Sequence, residues 1–390
     1  PADAAGTIAL ARSTVTNTTA RWHVSHQRPI AYDIIGAPGL LDFGNPTLLS
    51  AGRITGGRRF VVVDDQVARH RAAALHGYFA HHGVDARITR FPGGEAAKTI
   101  DAYLGLLREL DDFPIHRRDE PIIAIGGGVL TDVVGFVASS YRRGVPHIKV
   151  PTTLMGYVDA AVGIKTGLNF NGYKNRLGSF EPPLQVLLDP TFLTTLPGRH
   201  IRNGVCEIVK LAVIKDIELF RQLERHGAES IAARFQNEPG GWILDRAISG
   251  MLEELQPNLF ESELARSVDF GHTFSYGLET RHSERLLHGE AVLLDIAVSV
   301  LIAQRRGLLD QLEVERVFRL VATLGIVLDV GVLDAELMWQ ALSDRIEHRN
   351  GLQLAPLPDG LGRCAFVNDI APSDIAAAIH TLTHRGTWAK

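Results

Sequence analysis

At 390 residues the chain is too long for one small core, and about two domains is the natural expectation. Hydrophobic residues make up 45%, charged residues 22% and the formal net charge is −4, so bulk charge recommends neither nucleic acid nor an anionic membrane as a partner. With two cysteines, Cys206 and Cys364, no apolar run near the roughly 18 residues that cross a bilayer and no secretory pattern at the start, a reduced cytoplasmic setting is expected.

In chain order, residues 1–25, rich in Ala, Thr and Ser, read as a loosely held arm. An α/β domain is then expected over 26–198. In RRFVVVDD, Arg58–Asp65, a β-branched strand stops at acidic residues, and the helical pattern QVARHRAAALHGYFAHHG follows it. A second unit lies in EPIIAIGGGVLTDVVGFVASSYRRG, where Ile122–Ile125 runs into Gly126, Gly127 and Gly128 and then a helix with Val129, Val133, Val134 and Val137 on one side. Buried strands alternating with helices predict a parallel sheet covered on both faces.

Glycines between strand and helix let a phosphate approach the backbone, and a helix N-terminus offers it free N–H groups. GGG also serves as a plain tight turn, and both readings stand. Asp64, ending the earlier strand, is placed either as an acidic ribose ligand or as a helix N-cap. The next stretch, VPTTLMGYVDAAVGIKTGLNFNGYKNRLGSFEPP, reads as a glycine-punctuated loop region in which Asp159, Lys165, Asn169, Lys174, Asn175 and Arg176 mix cations with amide donors. That is suitable chemistry for a sugar phosphate.

After LDPTFLTTLPGRH the patterns become long and helical, so residues 199–390 are expected to form an all-helical domain. Glu207 and Lys210 lie three apart on the face of a helix and interrupt an apolar context. Buried carboxylates and ammonium groups need partners. GHTFSYGLETRHSERLLHGEAV brings three histidines into Gly271–Val292. Glu207 with His272 and His288 would make a His₂Glu set with an open coordination position, although spacing alone does not select Glu207 from other acids.

The motifs PGGEAAK, GGGVLTD, YRRG, VPTTL, VDAAVGIKTGLN, YKNRLG, EIVK, GHTF and LHGEAV occur between about Arg58 and Asn368. In this order they resemble the sugar phosphate cyclases, the family of 3-dehydroquinate synthase. The resemblance implies a Rossmann-like NAD-binding domain followed by a helical metal-binding domain, and a homodimer. It implies Glu207, His272 and His288 as ligands of Zn²⁺ or Co²⁺. Asp64, Glu95, Lys98, Gly127, Gly128, Asp132, Thr152, Thr153 and Lys174 are implied as NAD contacts. Asp159, Lys165, Lys210 and Asn175 are implied at the substrate, with Arg143 reaching its phosphate across the dimer. The implied chemistry is that of a phosphorus–oxygen lyase: NAD-dependent oxidation, phosphate elimination, reduction and intramolecular aldol closure.

Departures from the dehydroquinate branch point further. Asp269 stands where that branch has Asn, Met251 replaces a lysine and Ala265 an arginine that hold a substrate carboxylate. Two lost cations and a gained anion disfavour a carboxylate and favour a neutral hydroxymethyl end. KTGLNF, KNRLG, MLEELQPNLFE, VDFGHTFS, AFVND and His348 in EHRNG resemble the 2-epi-5-epi-valiolone synthases of aminocyclitol antibiotic biosynthesis, which cyclise sedoheptulose 7-phosphate. Tyr276, four residues after His272, departs from both branches and leaves product stereochemistry open, with 2-epi-valiolone as an alternative. A metal-dependent NAD alcohol dehydrogenase is the competing reading from another class.

Overall fold

Two runs that are apolar at every position, Phe60–Val63 and Ile122–Ile125, suit strands covered on both faces, and both sit inside a parallel sheet. The computed structural model describes residues 21–53, 57–347 and 349–384. The chain divides into two units, Pro1–Ala31 and Tyr32–Lys390. In the first, residues 21–31 carry neither helix nor strand.

The sheet contains β1 (Asp33–Gly36), β2 (Arg58–Asp64), β3 (Asp85–Phe91), β4 (Ile122–Gly126), β5 (His147–Pro151) and, after a separate pair β6 (Lys165–Phe170) and β7 (Tyr173–Phe180), β8 (Gln185–Leu188). Its order is β1-β8-β5-β4-β2-β3, parallel throughout. Helices α1 (Asp65–His81), α2 (Ile100–Asp112) and α3 (Gly128–Ser140) cover it. The period of two along the strands sorts the faces. Val61, Val63, Ile123 and Ile125 pack with Leu75 and Phe79 of α1, whereas Phe60, Val62, Ile122 and Ala124 pack with Leu106 of α2 and Val133 and Val137 of α3. From β2 the chain steps outward to β3 and returns to β4 on the other side. The carboxyl ends of β2 and β4, Asp64 and Gly126, therefore flank the topological switch point, where open α/β sheets bind ligands.

Within 150–183, expected as a loop region, residues 165–180 form a hairpin instead. Antiparallel β6 and β7 meet at Asn171 and Gly172, with φ of 49° and 77°. Positive φ at both central residues is the geometry that Asn-Gly favours in a two-residue hairpin.

The second half contains α4 (Gly198–Ile214), α5 (Ile217–Ala232), α6 (Glu238–Leu255), α7 (Ser275–Arg281), α8 (His288–Arg305), α9 (Gln311–Thr323), α10 (Ala335–Glu347) and α11 (Pro372–His384). From Ala291 to Ala303 every residue of α8 is buried, so it is the central helix of this half. Next to α4 the packing is close: a Cβ on Gly289 would stand 2.1 Å from the Asn203 carbonyl oxygen. The half is not wholly helical. Strands β9 (Ala355–Pro358) and β10 (Cys364–Val367) pair antiparallel, in a stretch where Pro356 and Pro358 could not serve a helix interior. Among the described residues no helix is long and apolar enough to cross a membrane.

Candidate active site

Glu207, His272 and His288, scattered over 82 positions, converge. Glu207 is carried on α4 with no solvent exposure, and its Oε1 lies 3.8 Å from His272 Nε2 and 3.5 Å from His288 Nε2. One ligand atom from each residue lies within 4.8 Å of the others. His272 is turned in by Gly271, whose φ of 76° and crowding against Val292 leave no room for a Cβ. His288 opens α8. Each imidazole has its Nδ1 occupied, in His272 by the Phe270 carbonyl at 3.2 Å and in His288 by Glu279 Oε1 at 2.9 Å. With Nδ1 so engaged, Nε2 is the nitrogen left to act as a ligand.

The Glu207 carboxylate is ion-paired with Lys210, yet neither oxygen accepts a well-formed hydrogen bond among the described residues. Buried carboxylate oxygens without such partners beside two Nε2 atoms suit a divalent cation of the Zn²⁺ or Co²⁺ type. Burial disfavours the charge on Glu207, but Lys210 and the two histidines hold its carboxyl well below the usual range. His272 is pushed down to about 4 by burial and then by Lys210. Burial also opposes protonation of His288, but Glu279 and Glu207 hold it at about 10. Asp159, in the π-helical turn Gly156–Ala160, is raised by burial and then by Glu207. π-Turns of this kind are frequent at functional sites. Lys210, despite burial, is raised by Glu207 and Asp159.

The hairpin leans on this cluster. Lys174 donates to Glu279 Oε2 at 2.8 Å, and Lys165 pairs with Glu261. A second group lies behind it: buried Lys98 donates to Asp132 at 2.6 Å and to Asn175 Oδ1 at 2.5 Å, while Asn169 donates to Glu95 at 2.7 Å. At the carboxyl edge of the sheet, Asp64 Oδ1 accepts from Gln66 N at 2.8 Å, so Asp64 does cap α1. No side chain caps α3, which starts at Gly128. A Cβ on Gly127 would approach Thr153 at 3.0 Å, while Thr152 N donates to the Gly126 carbonyl. The glycines thus satisfy packing and leave an uncapped helix N-terminus at the switch point, a cradle that fits a dinucleotide phosphate.

Asp269 is not the lone anion of the sequence argument. Arg266 approaches it at 2.6 Å and Arg345 at 3.1 Å, and Arg349 pairs with it more closely. Ala265 is exposed, and the neighbouring Arg266 supplies the guanidinium here, while Met251 is buried in the core. The local balance of charge is therefore restored, and the inference from lost cations does not stand alone. Arg143 is exposed in a turn with φ of 63°, and His348 lies outside the described residues. Sequence reasoning missed Glu261, Arg266, Glu279, Arg345 and Arg349. Only the pair Arg345 and Arg349 carried a signal, two cations four apart beside His348.

Comparison with known proteins decides the family. Residues 88–203 match the 3-dehydroquinate synthase N-terminal model and residues 204–345 the C-terminal one. The chain belongs to the 3-dehydroquinate synthase family. Among members of this sugar phosphate cyclase family, it is 47% identical to the 2-epi-5-epi-valiolone synthase of Streptomyces albus over 92% of this chain and 89% of that one. To the synthase of the same name from an Actinoplanes species it is also 47% identical, over 93% of each chain. The solved 2-epi-5-epi-valiolone synthase of Streptomyces hygroscopicus subsp. jinggangensis, with NAD⁺ and Zn²⁺ bound, superposes with a TM-score of 0.90 at 43% identity, covering 93% of this chain and 100% of that one. The family fold, a Rossmann-like parallel sheet followed by a helical half, is the fold found here.

Proposed function

We propose that this chain is a 2-epi-5-epi-valiolone synthase that cyclises sedoheptulose 7-phosphate with release of phosphate and works as a cytoplasmic homodimer. The observation that carries the reading is near-half identity to synthases of that name over nine-tenths of both chains. The intact Glu207–His272–His288 cluster supports it.

In this reading Glu207, His272 and His288 hold Zn²⁺ or Co²⁺, and Asp64, Glu95, Lys98, Gly127, Gly128, Asp132, Thr152, Thr153 and Lys174 form the NAD side. Held by these residues, NAD would supply reversible hydride transfer at a ring carbon and the cation would supply polarisation of the oxygen on it. Lys210, charged between Glu207 and Asp159, donates hydrogen bonds toward the hydroxyls of the ring. Asp159 has a raised carboxyl and is suited to carry a proton near the cluster. Lys165 is 60% exposed in its pair with Glu261, a weak contact that a phosphate can displace. Asn175 and a partner copy's arginine at position 143 complete the phosphate side, Asp269 borders the other end of the ring, and His348 keeps the substrate role that the family resemblance implies.

The test is turnover of sedoheptulose 7-phosphate by protein supplied with NAD and Zn²⁺ or Co²⁺. Phosphate release without net NADH is expected, with 2-epi-5-epi-valiolone identified by NMR. Equal or faster turnover of 3-deoxy-arabino-heptulosonate 7-phosphate would overturn the substrate, and NADH accumulation without phosphate would indicate an alcohol dehydrogenase. A 2-epi-valiolone product would move the chain to the neighbouring branch and implicate Tyr276.

A further inference from the structure

Glu279 lies on α7, buried, and its two carboxylate oxygens serve different parts of the molecule. Oε1 faces His288 Nδ1 at 2.9 Å, and Oε2 accepts from Lys174 Nζ at 2.8 Å. His288 Nε2 in turn lies 3.5 Å from Glu207 Oε1. A continuous polar chain thus runs from β7, through α7 and the first residue of α8, to α4. The two histidines differ in this respect. His272 rests its Nδ1 on the carbonyl of Phe270, two residues away, an anchor that reports only its own loop. His288 rests on a side chain shared with the hairpin.

We propose that Glu279 is a positioning residue with two duties: it fixes the ring of His288 with Nε2 turned to the metal position, and it ties the hairpin to that position, so that metal loading restrains β7. The proposal rests on the metal reading above. A carboxylate accepting the far N–H of a ligand imidazole fixes its tautomer and raises its basicity, and loss of such a group typically costs about 10- to 100-fold in metal affinity. Glu279 is only 7% exposed and accepts from both partners as a carboxylate, so neither bond is readily replaced by water.

The test uses no substrate, so its failure is separable from failure of the substrate assignment. Zinc affinity of the metal-free protein is measured by competition with a chromogenic chelator, and amide hydrogen exchange over Tyr173–Phe180 is followed with and without saturating zinc. Glu279→Ala is expected to weaken zinc binding about 10- to 100-fold, and Glu279→Gln, which keeps an acceptor for Nδ1–H, by less. Zinc should slow exchange in the hairpin of the wild type but not in Glu279→Gln. Lys174→Met should lose the same protection while its zinc affinity stays near that of the wild type. Thermal melts of the metal-free variants check that each is folded, and the isosteric Gln variant carries the test if the Ala variant is not.

Zinc affinity within twofold of wild type in the folded Glu279 variants would overturn the positioning role. An affinity loss in Lys174→Met as large as that in Glu279→Ala would also overturn it, placing the effect in the hairpin. Retained hairpin protection in zinc-loaded Glu279→Gln would overturn the coupling. A wild type that does not bind zinc would overturn the metal site and the relay together.

Discussion

Arg345 meets Asp269 at 3.1 Å and donates through its other terminal nitrogen to the carbonyl of His272, so one guanidinium from α10 fastens both the acid and the ligand-bearing loop. Burial pushes the Asp269 carboxyl up, but Arg345, Arg266 and Arg349 outweigh it and hold the group at about 2. Asp269→Asn would leave three guanidinium groups sharing a neutral amide. A ten- to hundredfold fall in kcat/KM for sedoheptulose 7-phosphate is expected, equivalent to about 1.5 to 3 kcal/mol of lost charge-assisted hydrogen bonding. Freed arginines should also raise the relative affinity for a carboxylate-bearing competitor. An unchanged preference ratio, with reduced metal content, would leave Asp269 only the fastening of the His272 loop.

The three-ligand set makes its own prediction. His288→Ala leaves Glu207 and His272, too few protein ligands for a stable catalytic site. Elemental analysis should show metal content falling together with phosphate release, while far-UV circular dichroism stays that of the wild type. A variant that remains loaded and active would show the ligand assignment to be wrong.

Close helix packing predicts opposite outcomes at two glycines. In Gly289→Ala the new methyl would meet the Asn203 carbonyl at 2.1 Å, and backbone cannot swing aside, so α8 and the His288 it carries must shift from α4. A loss of about 1 to 3 kcal/mol in stability is expected, together with weaker metal binding. Gly241, inside α6, has no atom within 4 Å of the same position, and Gly241→Ala should stabilise by about 0.4 to 1 kcal/mol without touching the metal. Urea denaturation of both variants checks the contrast.

Asp295 supplies a pH dependence. It is fully buried in α8, where its Oδ2 accepts from the backbone N–H groups of Phe274 and Ser275 and its Oδ1 from Ser299. Burial raises its pKa to about 6 despite those bonds. Because the folded value lies above the unfolded one, near 3.9, the folded state binds more protons in between, and stability falls as pH rises from about 4 to 6. Two pKa units correspond to about 3 kcal/mol. Asp295→Asn keeps the shape and an acceptor but does not titrate. The stability difference between variant and wild type should grow in favour of the variant across that window and be flat above it, as read by denaturation at successive pH values. Carboxylates with lowered pKa, Asp269 and Glu279 at about 2, act in the opposite sense in both proteins and weaken the fold only as pH falls below about 4.

The sheet was legible because burial on both faces demands unbroken apolar runs, as at Phe60–Val63 and Ile122–Ile125, and because helices between them leave a parallel order as the simplest solution. The hairpin was missed: the Asn171–Gly172 pair carried its signal, but glycines and cations on either side of it suggested a loop. Glu207, His272 and His288 were found through motif resemblance, since nothing in spacing alone singles out one acid among many.

What the sequence by itself determined is the set of local structures and the inventory of charges. Tertiary structure decided which charges meet: Asp269 with Arg345 across 76 positions, and Lys174 with Glu279 across 105. Hydrophobic periodicity reports only that a face is buried, and is read from near neighbours along the chain. An ion pair depends on two side chains being brought within a few ångströms by the packing of separate elements, so an isolated Asp269 reads as a free anion until the helices carrying its arginines are in place.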